Sequence, residues 1–240
     1  MITVRHSQDR GRADFGWLDS KHSFSFGSYY DPEYMGFSAL RVINDDVVQA
    51  SAGFDTHGHR DMEIISYVLE GTIEHKDSEG NVQTLPAGEF QLMSAGSGIY
   101  HSEYNGSNSE TLRFLQIWIQ PNEFGKKPGY QQKDFGQESG LTPIATPNGR
   151  AGSLHIKQNA ELHQLILEPN SSLKYEIKPG RKLYIHQVKG KLQVSGTRLG
   201  EGDGASIESQ DFVEFKNEHQ TPATALVFDL PYFTNKALHD

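Results

Sequence analysis

Two short triplets constrain this chain more than anything else in it: His57-Gly58-His59, and His101-Ser102-Glu103, which begins 44 positions later. In a strand, residues i and i+2 point to the same face, so each triplet aims two ligand-type side chains one way. Three imidazoles and one carboxylate make a site for a divalent transition ion, with nitrogen donors suited to iron, nickel, copper or zinc. Between the triplets, Thr72-Ile73-Glu74-His75 and Val82-Gln83-Thr84-Leu85 flank the charged stretch Lys76-Asp77-Ser78-Glu79-Gly80-Asn81, the pattern of a hairpin. Outer strands folded back around that hairpin bring the triplets together. The expectation is a mononuclear metal site in an all-β chain.

Two carboxylates compete for the fourth position, Glu63 and Glu103. Glu63 has the parity of His59, yet on a straight strand it lies roughly 13 Å away at about 3.3 Å per residue. Glu103 needs no bend, because it stands two residues from His101. The expected ligands are therefore His57, His59, His101 and Glu103, with Glu63 behind them as a hydrogen-bond partner of a ligand histidine. His75, His155, His163, His186, His219 and His239 lack paired spacing and read as structural or solvated. His22 sits among aromatic residues, where lining a pocket and packing are both open.

Composition narrows the function classes. The net charge is -9, and the Lys and Arg residues are scattered rather than gathered in a stripe. A nucleic-acid surface needs concentrated positive charge, so none is expected. No apolar run approaches membrane-spanning length, and Met1-Ile2-Thr3-Val4-Arg5-His6 has no signal-peptide core. Cytoplasm is the expected compartment. With 0 Cys there is no disulfide framework and no thiol nucleophile. No Ser-His-Asp pattern, phosphate loop or dinucleotide fingerprint rivals the metal reading.

Taken in order, the opening through Trp17-Leu18 reads as a loose polar lead-in, and His22 to Pro32 as an extended aromatic segment. Phe37 to Ile43 reads as a strand closed by a turn at Asn44-Asp45-Asp46. Further short strands follow at Met62 to Leu69, Phe90 to Met93 and Leu112 to Ile119. Pro121 to Gly152 is rich in Gly, Pro, Gln and Lys and reads as a connector with little regular structure. Short strands then resume and no strong amphipathic helix appears. This predicts an N-terminal domain over 1–121 that carries the site, a connector over 122–152, and a C-terminal domain over 153–240.

The two halves are faintly alike. Tyr67-Val68-Leu69-Glu70-Gly71-Thr72-Ile73 is echoed by Gln187-Val188-Lys189-Gly190-Lys191-Leu192, and Leu85-Pro86-Ala87-Gly88-Glu89 by Leu199-Gly200-Glu201-Gly202-Asp203. Sliding the halves together on these glycines sets Glu176 and Lys178 opposite His57 and His59, and Phe215 and Asn217 opposite His101 and Glu103. The second half repeats the scaffold without the ligands, so one site is expected.

The run Gly53…His57-Gly58-His59…Glu63…Gly71 followed by Pro86-Ala87-Gly88 resembles the paired motifs of the cupin superfamily. More specifically, His57 through Glu63 together with Ser94-Ala95-Gly96-Ser97-Gly98-Ile99-Tyr100-His101-Ser102-Glu103 resembles the pirin family, as do Tyr29-Tyr30-Asp31-Pro32 and Gly36 to Asn44. The resemblance implies an all-β bicupin: two β-barrel (double-stranded β-helix) domains with metal only in the N-terminal one. It places the ligand roles on His57, His59, His101 and Glu103; Glu103 is also the expected general base, able to accept a substrate hydroxyl proton while staying at the metal. Gly58 departs from the proline frequent there. Bacterial members resemble quercetin 2,3-dioxygenases, which implies a metal-dependent oxidoreductase acting on a flavonol and O2. Eukaryotic pirins imply the rival reading, a regulatory or redox-sensing metal protein with a protein partner. Fe(II) is the expected ion, with nickel, copper, zinc and manganese as alternatives.

Overall fold

The computed structural model describes residues 1–232, which places His239 outside the described residues. Each half of the chain forms a seven-stranded sheet facing a four-stranded one. In the first half the large sheet runs Gly129–Asp134, Glu89–Ser94, Glu63–Glu70, Leu112–Ile119, Leu40–Val48, Leu18–His22, Gly11–Asp14. Its partner runs Gly53–His59, Ile99–Asn105, Thr72–Asp77, Val82–Pro86. The second half repeats the plan, with Arg181–Lys189, Ala223–Pro231 and Glu161–Leu167 central in the large sheet and Ser171–Glu176, Phe212–Asn217, Leu192–Val194 and Thr197–Leu199 in the small one.

The central strands read as unbroken apolar runs because both of their faces are covered. In Glu63–Glu70, the side chains of Ile65 and Tyr67 enter a core shared by both halves, together with Ile43, Leu115 and Ile117 and, from the other side, Leu162, Tyr184, Leu226 and Phe228. Ile64 and Val68 belong instead to clusters on the opposite face. The two large sheets are thus fused along a continuous apolar seam, where each fully buried aliphatic side chain contributes about 1.5–3 kcal/mol.

Inside the barrels the halves diverge. The second barrel is filled by one cluster that includes Leu183, Ile185, Val194, Val213 and Phe215. The first holds two smaller clusters, one around Leu18, Val48, Ile73 and Phe114, the other around Ile64, Met93, Ala95 and Ile99. Polar residues occupy the space between them.

Several local expectations change. The lead-in is ordered: Ile2–Arg5 pairs with Gly204–Ile207 of the second half, while Gly11–Asp14 and Leu18–His22 extend the first large sheet. The connector also holds strands. Gly129–Asp134 closes the edge of the first large sheet on Glu89–Ser94, and Gly140–Thr146 pairs with Glu161–Leu167 in the second. The polar composition of Gly129–Asp134 goes with its edge position, whereas Gly140–Thr146 is flanked on its other side by the short strand Leu154–His155 and buries Ile144, Ala145 and Thr146. The segment from Ser23 to Ala39 is mostly turns rather than extended chain. Asn44-Asp45-Asp46 is not a turn: the strand Leu40–Val48 runs through it, with Asp45 paired to Arg10 and Arg113 on one face and Asn44 bonded to His22 on the other.

Candidate metal centre

Both triplets lie on strands and pair as the sequence requires. His101 stands opposite His57 in the antiparallel register, and Ile99 opposite His59. A bulge between His101 and Glu103 follows. Gly53 makes that close approach feasible, since a Cβ there would sit 2.5 Å from the Glu103 carbonyl oxygen. Gly96, at φ 50 in the turn before Ile99, likewise faces the Lys126 carbonyl at 2.1 Å from a notional Cβ.

The three imidazoles converge through Nε2. His101 Nε2 lies 3.0 Å from His57 Nε2 and 3.1 Å from His59 Nε2. Nitrogens bound to one ion at about 2.0–2.1 Å stand roughly 2.9–3.4 Å apart, so the spacing fits a shared cation. His57 Nδ1 donates to the Asp55 carbonyl oxygen at 2.7 Å, which leaves its Nε2 with the lone pair. Burial, reinforced by the neighbouring imidazoles, pushes His59 down to about 4 and His101 down to about 3. Both rings are therefore neutral at pH 7, as metal ligation requires. Three neutral imidazoles converging through Nε2 at these spacings fit a divalent ion, with the His57 tautomer already set for ligation.

Glu103 joins His101 in a second close group, with His75, and not in the group of His57, His59 and His101; within each group the ligand atoms lie within 4.8 Å of one another. Its carboxylate is held from behind. Ser66 Oγ donates to Oε1 at 3.1 Å, Gln91 Nε2 to the same oxygen at 3.5 Å, and Gln116 Nε2 to Oε2 at 3.0 Å. Gln116 in turn accepts from Trp118 Nε1 at 3.2 Å, and Gln91 from Tyr130 at 3.1 Å. These donors form a row across the sheet, since His22 pairs with Asn44, Asn44 with Gln116, Gln116 with Ser66, and Ser66 with Gln91. The row is the polar layer between the two apolar clusters.

Glu63 takes a different place from the one expected. The chain turns after His59, and Glu63 Oε2 accepts from Ser94 Oγ at 2.9 Å and from the Lys157 main-chain N–H at 3.1 Å. Neither partner is a candidate ligand, so Glu63 ties the first sheet to the second half instead of orienting a histidine. Its burial pushes its pKa up.

His75, expected to be structural or solvated, is 1% exposed, and its ring lies 5.5 Å from that of His101. Asp77 accepts from its Nε2 at 2.9 Å. The spacing His75-x-Asp77 was the signal for this pair. For Ser66, Gln91 and Gln116 the signal was a lone polar residue at inward parity in an apolar strand, as in Ile64-Ile65-Ser66-Tyr67 and Leu115-Gln116-Ile117.

A cavity of about 390 Å³ opens on His57 and His59. Aromatic side chains form one part of its wall, among them Trp17, Phe26, Phe54 and Trp118. Ser20, His22, Asn44, Asp46 and Gln116 form a polar part. His22 thus lines the pocket, and Phe26 with it, whereas Phe24 packs in the seam against Tyr184 and Tyr30 and Met35 are exposed.

Comparison with known proteins agrees with this fold. The pirin family profile matches residues 3–119, and the profile described as quercetinase C-terminal cupin domain matches residues 143–230. A quercetin 2,3-dioxygenase of Escherichia coli (strain K12) is 48% identical over 231 residues, covering 96% of this chain and 99% of the relative. A pirin-like protein of Caulobacter vibrioides is 44% identical over 214 residues, 88% of this chain and 92% of the relative. Among solved structures, the bacterial pirin YhhW of Escherichia coli in complex with nickel(II) superposes with a TM-score of 0.94 at 47% identity, covering 97% of this chain and 100% of that one. The chain belongs to the pirin family and has its two-domain, all-β cupin fold. Among the described residues, no helix is long and apolar enough to cross a membrane.

Proposed function

We propose that this protein is a metal-dependent dioxygenase that opens the ring of a flavonol such as quercetin with molecular oxygen. The observation that carries the reading is the cavity of about 390 Å³ that joins His57 and His59 to aromatic and polar walls. Its size suits a small molecule, for which pockets run roughly 300–1,000 Å³. Flat apolar walls with a few polar groups suit a planar, hydroxylated aromatic. The name of the Escherichia coli relative supports the same class of reaction.

In this assignment His57, His59 and His101 offer Nε2 and Glu103 a carboxylate oxygen to one divalent ion. Bound there, the ion would supply Lewis acidity that lowers the pKa of the flavonol 3-hydroxyl. The protein's own groups do the rest. Glu103 accepts the 3-hydroxyl proton as general base, and Ser66, Gln91 and Gln116 keep its oxygens aimed. Trp17, Phe54 and Trp118 hold the ring plane and exclude water. Fe(II) is the expected ion; nickel, which the Escherichia coli structure contains, is the first alternative.

The test is elemental analysis of the native protein together with oxygen uptake on a flavonol panel after loading with iron, nickel, copper, zinc or manganese. Metal-dependent uptake stoichiometric with flavonol loss is expected. No uptake with any ion would defeat the dioxygenase reading and favour a regulatory protein.

A further inference from the structure

The polar part of the cavity wall contains a carboxylate for which the reaction above has no task. Asp46 lies within the strand Leu40–Val48, lines the cavity and is 2% exposed. Its neighbour Asp45, on the opposite face, is neutralised by Arg10 and Arg113. Asp46 meets no cation among the described residues. Ser20 Oγ donates to Oδ1, and no other donor among the described residues reaches the carboxylate. A carboxylate offers about four acceptor positions, and burying it with one donor is costly. Burial, aided by the charges of Asp45 and Glu103, pushes its pKa up to about 7. The strands are already joined there by the main-chain register Ser20 to Asp46, so the side-chain bond is not needed to align them. An apolar pair would fill the same place at less cost.

We propose that Asp46 is the specificity-determining residue of this cavity, its free oxygen accepting a hydrogen bond from a phenolic hydroxyl of the substrate, so that polyhydroxylated rings are selected over deoxygenated ones. The inference rests on the flavonol reading and deepens it. A hydroxyl donated to Asp46 gives the buried group its missing partner. An analogue without that hydroxyl leaves it unpaired, and sites of this kind reject such analogues strongly.

Both tryptophans of the chain, Trp17 and Trp118, line the cavity, so their fluorescence reports on it directly. Metal-free wild type, Asp46→Asn and Asp46→Leu are titrated with quercetin and with flavonols that each lack one hydroxyl, and their thermal melts are recorded. Wild type is expected to bind one deoxy analogue about 10- to 100-fold more weakly than quercetin. That ratio should fall in Asp46→Asn and approach one in Asp46→Leu, while the other analogues keep their wild-type ratios. If Asp46→Leu fails to fold, the drop in Asp46→Asn decides. An equal loss for every analogue would mark a merely structural role and overturn the inference, as would an unchanged ratio or a wild type that binds no flavonol. Saturable binding with the expected ratio but no oxygen uptake by metal-loaded wild type would defeat the dioxygenase reading and leave this one standing.

Discussion

Asn105 and Asn217 make corresponding bonds in the two barrels, Asn105 with one more. Asn105 Nδ2 donates to the carbonyls of Val48, Gln49 and Glu110 at 3.2, 3.2 and 2.8 Å, and its Oδ1 accepts from Ser107 N at 2.9 Å. Asn217 Nδ2 donates to the carbonyls of Leu167 and Thr221 at 2.9 and 2.8 Å, and its Oδ1 accepts from His219 N at 3.0 Å. Each holds the end of a small-sheet strand to the large sheet. Replacing either by Ala strands several buried main-chain groups and should cost about 1–3 kcal/mol in urea unfolding. The two should differ in metal retention. Asn105→Ala loosens the strand that carries His101 and Glu103 and should weaken it, whereas Asn217→Ala should leave it unchanged.

That equivalence also shows how far the sequence could be read. The triplets, the hairpin and the glycine pairs were legible because they depend on local spacing: Gly88 N bonds to Val68 O and Gly202 N to Gln187 O in matching turns. Counting on from those glycines misplaced the rest. The structure sets Tyr175 and Ile177 opposite His57 and His59, and Val213 and Phe215 opposite His101 and Glu103, because Tyr175 pairs with Val213 as His57 does with His101. The strand Arg181–Lys189 has 9 residues where Glu63–Glu70 has 8, and the strand Gly204–Ile207 has 4 where Glu89–Ser94 has 6. The first offset is one residue and moves the side chain to the other face, so Glu176 is exposed; the second is two residues and keeps the face, so Phe215 still fills the core, opposite Glu103 rather than His101. Asp46 was illegible for another reason. Its partners, and those of Asn44 and Asp45, come from strands distant in sequence, so a strand crossing the core looked like a turn.

The corrected register sharpens a prediction about metal. His57→Ala and His101→Ala should lose the ion that wild type carries at about one per chain, read by elemental analysis of purified protein. Val213→Ala and Tyr175→Ala, at the matching positions of the second barrel, should keep it. Full metal content in both histidine variants would remove the assignment.

Gln116 donates to Glu103 at 3.0 Å and accepts from Trp118 at 3.2 Å, so it couples the carboxylate to the aromatic wall. Gln116→Leu removes both bonds at similar volume. Partners of this kind typically contribute about 10–100-fold to metal affinity or activity. A loss in that range is expected in metal titration or turnover, with the fold retained by circular dichroism. Gln116→Glu should be worse, since it sets a second carboxylate against the first.

Acid should destabilise the metal-free protein partly through His186, far in sequence from the site. Burial, with Arg10 adding to it, pushes this ring down to about 4 from an ordinary 6.5. The folded state therefore binds fewer protons than the unfolded one. Its contribution is complete above about pH 6.5 and is lost as pH falls toward 4, on the order of 3 kcal/mol. His59 and His101 act with the same sign, while Asp46, pushed up to about 7, acts with the opposite one. The comparison is thus between wild type and His186→Gln: their urea midpoints should converge between about pH 7 and 4 as wild type loses the His186 share. Parallel midpoints would show that the ring does not titrate with folding.

Glu103→Gln separates proton transfer from ion holding. The amide keeps an oxygen for an ion and takes up no proton at neutral pH. A general base contributes about 10²–10⁴-fold, so single-turnover oxygen consumption should fall by that range with metal content measured on the same sample. Tryptophan quenching by the flavonol should change little, because binding does not require the proton to move. Ser66, Gln91 and Gln116 all donate toward this carboxylate, so the new amide nitrogen must face one donor and stability should drop as well. Gln116→Leu is the control for that effect, since it disturbs the same network and leaves the base in place. Glu63→Gln should cost little turnover, its partners being Ser94 and the Lys157 main chain. Equal turnover in metal-loaded wild type and Glu103→Gln would sink the role of Glu103 as base while leaving its place beside His101 intact.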